Sequence, residues 1–310
     1  MNKLIFLEPI FKERIWGGRT LEEQFKYKLP NGNIGECWAI SGHKNGSSII
    51  KNGLFKGMTL AELYSTHRKE LFGNDSSPVF PILIKILDAH DDLSVQVHPD
   101  DDYALKNCND LGKTECWYII DSDDDSKIIH GHTAQTKEQF LKKLKNNDLS
   151  LWKYQNIKKN DFIYVPATTV HAIGKGSLIY EVQQSSDTTY RIYDYDRKDS
   201  NGMMRDLHLD KALDVIHFPD STDNTVIRKV ITQSYTLYHY IKNQYFSVSR
   251  VEVRETFELT KTGYILISIL SGDGKIMGEY VQSGDHLIIT SNIDEIIIFE
   301  GNMNLIYTTR

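Results

Sequence analysis

The chain has 310 residues, a quarter of them charged, with a formal net charge of −6 and no basic block. That balance argues against nucleic acid as a partner, and no apolar run approaches the roughly 18 residues of a membrane span. Three cysteines, Cys37, Cys108 and Cys116, form no CxxC pair and are odd in number, so free thiols in a reducing, cytoplasmic setting are expected.

The opening "MNKLIFLEPIFKERIWGG" acquires charges too early for a secretory signal. Helical patterning is sparse. "TLAELYSTHRKELFG" (59–73) carries Leu60, Leu63, Tyr64, His67 and Leu71 on one face and stops at Gly73. "TKEQFLKKLKN" (136–146) starts at a Thr cap, and "LDKALDVIHF" (209–218) is a third helix. The other apolar runs, among them "PVFPILIKILDA", "CWYIID", "DFIYVP" and "LIYEVQQ", are short and β-branched or aromatic, as strands are. Beyond about residue 240, "YFSVSRVEV", "GYILISILSG", "GKIMGEYV", "DHLIITS", "DEIIIFEG" and "NLIYTT" follow at even intervals, the pattern of a sandwich or closed barrel. The expectation is a mainly β protein with a few inserted helices. Its larger unit is residues 1–235 and a smaller C-terminal β-domain is 236–310, joined within 219–244.

The polar residues of the larger unit are unusually placed. In "LSVQVHPD" (93–100), alternation sends Leu93, Val95 and Val97 to one face and Ser94, Gln96 and His98 to the other. A hydroxyl, an amide and an imidazole in a row need partners if that face looks into a barrel. "GKTECWYII" (112–120) puts Lys113, Glu115 and Trp117 on one face, and "NDFIYVPATTVHAIGKG" (160–176) delivers His171 after a Pro turn. Two imidazoles, a carboxylate and a weak carbonyl donor suit a borderline divalent metal. One carboxylate against two metal charges leaves a net positive site, able to polarise a substrate oxygen. No local spacing ties these four residues together.

A second cluster is cationic. Glu181 and Gln183 share one face of "SLIYEVQQ", while Arg191, Tyr193, Tyr195 and Arg197 share another further along. Lys85 sits inside the apolar "PILIKILDA", where an unpaired ammonium would be costly to bury. With Lys113, these cations read as an anion-recognition set. The alternative is plain ion pairing, of Lys85 with Asp88 or another acid and of Arg197 with Asp194 or Asp196.

"LSVQVHPDD", "GKTECWYII", "VPATTVHAIGKG" and "YEVQQSSDTTYRIYDYDR", in this order and with "RIWGG" and "GECWAIS" before them, resemble the type I mannose-6-phosphate isomerases in their shorter bacterial form. The similarity runs from near residue 5 to about 215. It implies a cupin-type β-barrel (jelly-roll) catalytic domain with one zinc ion, and the family's ligand positions match Gln96, His98, Glu115 and His171. "Pro166…His171" matches the second cupin motif P-x-G-x-x-H except that Thr168 replaces its glycine. The family's substrate and catalytic positions carry over to Ser94, Lys113, Glu181 and Arg191, and more loosely to Lys85 and Arg197. Some members place a histidine before the lysine of the Glu motif and a proline after it. Gly112 and Thr114 stand there, so a mechanism with that histidine as base cannot operate.

The implied reaction interconverts mannose 6-phosphate and fructose 6-phosphate through an enediolate. Glu181 is preferred as base, with Lys113 as proton or charge partner; Lys113 as base is the alternative. Arg191 serves either the phosphate or the enediolate, and Ser94, Lys85 and Arg197 bind substrate. The partner is a small sugar phosphate, the oligomeric state a monomer. Rival readings are a cupin Fe(II) oxygenase, which also uses two His and a carboxylate, and a non-catalytic sugar-phosphate-binding cupin.

Overall fold

The computed structural model describes residues 4–199, 202–221 and 225–310; residues 222–224 of the suggested junction lie outside these. The described residues form three antiparallel sheets, and the middle one is buried on both faces. The strand Ile82–Ala89 shows why. Ile82, Ile84 and Ile86 join one apolar cluster, and Leu87 and Ala89 join another. Such a strand reads as a continuous apolar run rather than an alternation. Its neighbours behave alike: Cys116, Tyr118 and Ile120 go to the first cluster and Trp117 and Ile119 to the second.

This middle sheet runs in the order Phe162–Val165, Glu115–Ser122, Ser177–Gln184, Ile82–Ala89, Ile34–His43, Ile10–Gly18. Its inner face packs on a five-stranded sheet, ordered Trp152–Asn156, Lys127–His132, His171–Ile173, Val95–Val97, Tyr190–Tyr193. Ile128 and Ile173 of that sheet share a cluster with Leu87, Trp117 and Ile179 of the first. Two sheets closed over a common interior make the barrel that the resemblance implies. The outer face of the middle sheet packs on the third sheet through Tyr240, Phe246, Leu266 and Ile288.

The third sheet has ten strands and a core of its own, including Val251, Ile267, Leu287, Phe299 and Leu305. Two of its strands come from the other end of the chain. Leu4–Glu8 lies between His286–Ile289 and Ile49–Ile50, with Leu4 opposite Ile289 and Leu7 opposite both His286 and Ile50. The two units therefore share strands.

Helices are few and short. Leu60–His67 begins on a reciprocal cap: the Thr59 hydroxyl accepts the Glu62 N–H (3.2 Å) and the Glu62 carboxylate accepts the Thr59 N–H (2.9 Å). It continues as a π-helical turn, Arg68–Phe72, up to Gly73. Lys137–Lys145 starts at Thr136, and Leu209–Val215 ends before the cis bond at Pro219. Asp101–Asn107, capped by Asp100, lies between His98 and Glu115. The helix Thr20–Phe25 has no counterpart in the sequence reading; six residues are too few to show a period. Among the described residues, no helix is long and apolar enough to cross a membrane.

His286 sits where the third sheet meets the middle one. Its Nε2 faces the Tyr27 hydroxyl at 2.7 Å and its Nδ1 the Ser268 hydroxyl at 2.8 Å. Burial pushes its pKa down from 6.5 to about 3. Below pH 6.5 the unfolded chain protonates this imidazole while the folded chain does not, so stability falls with pH in that window. Urea unfolding from pH 7 to pH 5 should show this loss, with a share of about 1.4 kcal/mol per unit below pH 6.5 from one group. His286→Gln should flatten the dependence by that share. An unchanged slope would mean that other groups govern acid stability.

Candidate active site

The barrel opens into a cavity of about 390 Å³. Ser94, Gln96, Lys113 and Glu115 line it, and His98 and His171 lie beside it against Glu115. The strand Val95–Val97 is three residues long, and the alternation around it brings Ser94, Gln96 and His98 to one region. Glu115 opens the strand Glu115–Ser122, and Lys113 lies just before it, with its N–H donating to the Pro99 carbonyl at 3.0 Å. His171 opens His171–Ile173 and pairs in register with Gln96. The turn before it contains Thr168 at φ 73°, a left-handed conformation natural for the glycine of the motif and strained for a β-branched residue. Its N–H donates to the His98 carbonyl at 2.7 Å, tying the turn to the neighbouring loop.

His98, Glu115 and His171 are buried and offer ligand atoms within 4.8 Å of one another. Hydrogen bonding fixes both imidazoles. His98 Nδ1 donates to the Thr188 carbonyl (2.9 Å) and His171 Nδ1 to the Thr169 carbonyl (2.9 Å). A carbonyl only accepts, so each Nδ1 carries the ring proton and each Nε2 turns a lone pair inward. Those lone pairs face carboxylate oxygens of Glu115, at 3.5 Å from His98 and 3.4 Å from His171. Burial first, then the Lys113 charge, keeps both imidazoles neutral; the His171 pKa is lowered to about 3. Two imidazole lone pairs converging on one carboxylate fit a cation. The Lys113 ammonium supplies one, donating to His98 Nε2 (2.9 Å) and to Glu115. Gln96 adjoins the set: its amide nitrogen, a donor, lies 3.5 Å from His98 Nε2 and 3.3 Å from His171 Nε2, and its oxygen accepts from Ser94 (3.2 Å), so that turning the amide over would present the oxygen as a ligand atom.

A second buried network adjoins the first. Trp117 Nε1 donates to both Glu115 and Glu181, at 3.1 Å each. Glu181 pairs with Lys85 at 3.5 Å, directly across the sheet. Burial raises the Glu181 pKa and the nearby Glu115 charge adds to this, against the pull of Lys113 and Lys85. Lys85 is thus ion-paired with an acid other than Asp88, namely Glu181, while Asp88 accepts the Thr20 N–H.

Arg191 lines the same cavity. Arg197 does not: its guanidinium turns to Asp194 (2.7 Å), Asp91 (3.3 Å) and the Asp92 carbonyl. The ion-pair alternative applies to it, and its place on the cavity wall is taken by Arg205. The sequence reading also passed over Glu36 and Arg14. Glu36 accepts from Arg14 Nε (2.9 Å) and from Trp38 Nε1 (2.6 Å). Despite burial, the Lys85 and Arg14 charges lower its pKa to about 2. Its signal was the one that singled out Lys85, a charge inside the apolar run "IGECWAIS".

Comparison with known proteins gives this geometry a context. The family model for the catalytic domain of type I phosphomannose isomerase matches residues 4–110, and that for the mannose-6-phosphate isomerase cupin domain matches residues 236–309. The chain is 46% identical to the probable mannose-6-phosphate isomerase GmuF of Bacillus subtilis, over 96% of each. It is 44% identical to the mannose-6-phosphate isomerase of Streptococcus mutans, over 99% of this chain and 98% of that one. The crystal structure of a mannose 6-phosphate isomerase from Bacillus subtilis superposes with a TM-score of 0.96 at 40% identity, covering the whole of both chains. With full-length relatives well above 30% identity and one fold throughout, this isomerase belongs to the type I phosphomannose isomerase family.

Proposed function

We propose that the chain interconverts mannose 6-phosphate and fructose 6-phosphate with one zinc ion, through an enediolate. The observation that carries the metal is the inward convergence of two neutral imidazole lone pairs on the Glu115 carboxylate. His98, His171, Glu115 and Gln96 would hold the ion; imidazole, carboxylate and amide donors without thiolate suit zinc. When bound, it supplies electrophilic stabilisation of the negative charge that develops on the sugar oxygens.

The remaining chemistry falls to side chains. A C–H beside a carbonyl is weakly acidic, so a base must be close and must have a raised proton affinity. Glu181 meets both needs, being buried in the barrel beside Glu115. It takes the proton from C2 of the open-chain aldehyde and returns it to C1, while the O2 proton passes to O1. Electrons stay within the sugar, so no redox partner is needed. Trp117 Nε1 orients the Glu181 carboxylate. Lys113 stands at the same carboxylate cluster and holds positive charge where the enediolate forms. Lys85 keeps Glu181 in place and, with Ser94 and Arg191, contacts substrate from the cavity wall.

We assign this chemistry to residues 1–235, with 236–310 as the supporting β-domain. We place the protein in the cytoplasm, in keeping with its free cysteines, and take it to act as a monomer. The test is a coupled assay of the purified chain with mannose 6-phosphate before and after chelation. Chelation should lower turnover at least about 100-fold, and one equivalent of zinc should restore it. Full activity in a demonstrably metal-free sample would refute the zinc assignment.

A further inference from the structure

Arg205 shares the cavity wall with Arg191, Ser94 and Thr189. It sits between the strand Tyr190–Tyr193 and the helix Leu209–Val215, on a stretch stitched to that strand. The His208 N–H donates to the Arg191 carbonyl (2.7 Å), and the Arg191 N–H donates to His208 Nδ1 (3.2 Å). Its guanidinium is aimed by one buried carboxylate. Asp194 accepts from Arg205 Nε (2.8 Å) and Nη2 (2.5 Å), and is itself gripped by Arg197 Nη2 (2.7 Å). Arg191 donates to the Asp206 carbonyl at 2.8 Å, while its Nε is buried with no hydrogen-bond partner.

Two guanidiniums on one wall repel. The proton affinity of Arg191 is lowered by burial first and by the Arg205 charge next. A dianion between them would relieve that repulsion and take up the orphaned Nε. Planar guanidinium forks suit the several oxygens of a phosphate.

We propose that Arg205 and Arg191 together grip the phosphate group of the substrate, with Asp194 as the positioning residue that fixes the Arg205 fork at the cavity wall. This rests on the assignment of the cavity to a sugar phosphate. It also assigns Arg191 to the phosphate end, leaving the enediolate to Lys113 and the metal.

The test compares Arg205→Gln and Arg205→Lys with the unmodified, metal-loaded chain. KM and kcat are read with mannose 6-phosphate, and the inhibition constant with inorganic phosphate. Loss of a charge-assisted hydrogen bond to phosphate should raise both KM and the phosphate inhibition constant about 10- to 100-fold in Arg205→Gln. The fall in kcat should be less than about threefold, since such contacts are alike in ground and transition states. Arg205→Lys keeps the charge without the fork and should recover part of both constants; it carries the same readouts should Arg205→Gln not fold. Phosphate inhibition within about twofold of the unmodified chain would overturn the proposal, as would a kcat loss at constant KM. Calorimetry with inorganic phosphate separates the two levels. Arg205-dependent phosphate binding in a chain that does not isomerise mannose 6-phosphate would keep the clamp and defeat the substrate assignment.

Discussion

Replacing His171 with alanine should strip the metal and lower turnover about 1,000-fold or more. The argument begins with the Thr169 carbonyl, which holds Nδ1 protonated and Nε2 turned inward. Truncation removes one inward lone pair and leaves the Glu115 carboxylate, buried to 1% exposure, with one imidazole fewer beside it. Electrophilic stabilisation by a bound divalent ion is worth several kcal/mol in a transition state, and each 1.36 kcal/mol is tenfold in rate. Metal content by elemental analysis and turnover by coupled assay should fall together, and excess zinc should rescue part of both. A variant that kept a full equivalent of zinc and its turnover would show that His171 is not a ligand.

Glu181→Gln should lower kcat about 100- to 10,000-fold while metal content stays at one equivalent. The two shapes are nearly identical, so the barrel interior keeps its packing. What is lost is the group that takes and returns the C2 proton. The Trp117 indole can still donate to the amide oxygen, whereas the Lys85 ammonium loses its 3.5 Å carboxylate partner. Exchange of the C2 hydrogen with solvent deuterium isolates the step, because it needs proton abstraction and not complete isomerisation. It should disappear in parallel with kcat. Turnover within a few-fold of the unmodified chain, with zinc bound, would remove Glu181 from the role and leave Lys113 as the group to test.

These two residues also show how much was legible beforehand. The period-2 rule put Ser94, Gln96 and His98 on one side of a chain segment and Glu181 with Gln183 on one side of another, and buried faces do line up that way. A lysine in an apolar run marked Lys85 for the same reason. What could not be read is which distant segments meet. Arg205 lies in a loop with no apolar period, and it reaches the cavity because His208 ties that loop to Arg191 and Asp194 holds the guanidinium. Arg197 looked equivalent to Arg191 by spacing, two residues beyond Tyr195. Tyr195 and Asp196 both take left-handed conformations, at φ 57° and 50°, so alternation fails before Arg197 is reached. Strand pairing between the first and last hundred residues is likewise invisible to local pattern.

That last pairing has a consequence for how the protein comes into being. Leu4–Glu8 hydrogen-bonds on one side to Ile49–Ile50 and on the other to His286–Ile289. Leu4–Glu8 is synthesised well before His286–Ile289, and until that later strand emerges its apolar edge has a neighbour on one side only. Fragments cut at the boundary between the units should therefore be insoluble alone, and should regain solubility when both pieces are produced in one cell.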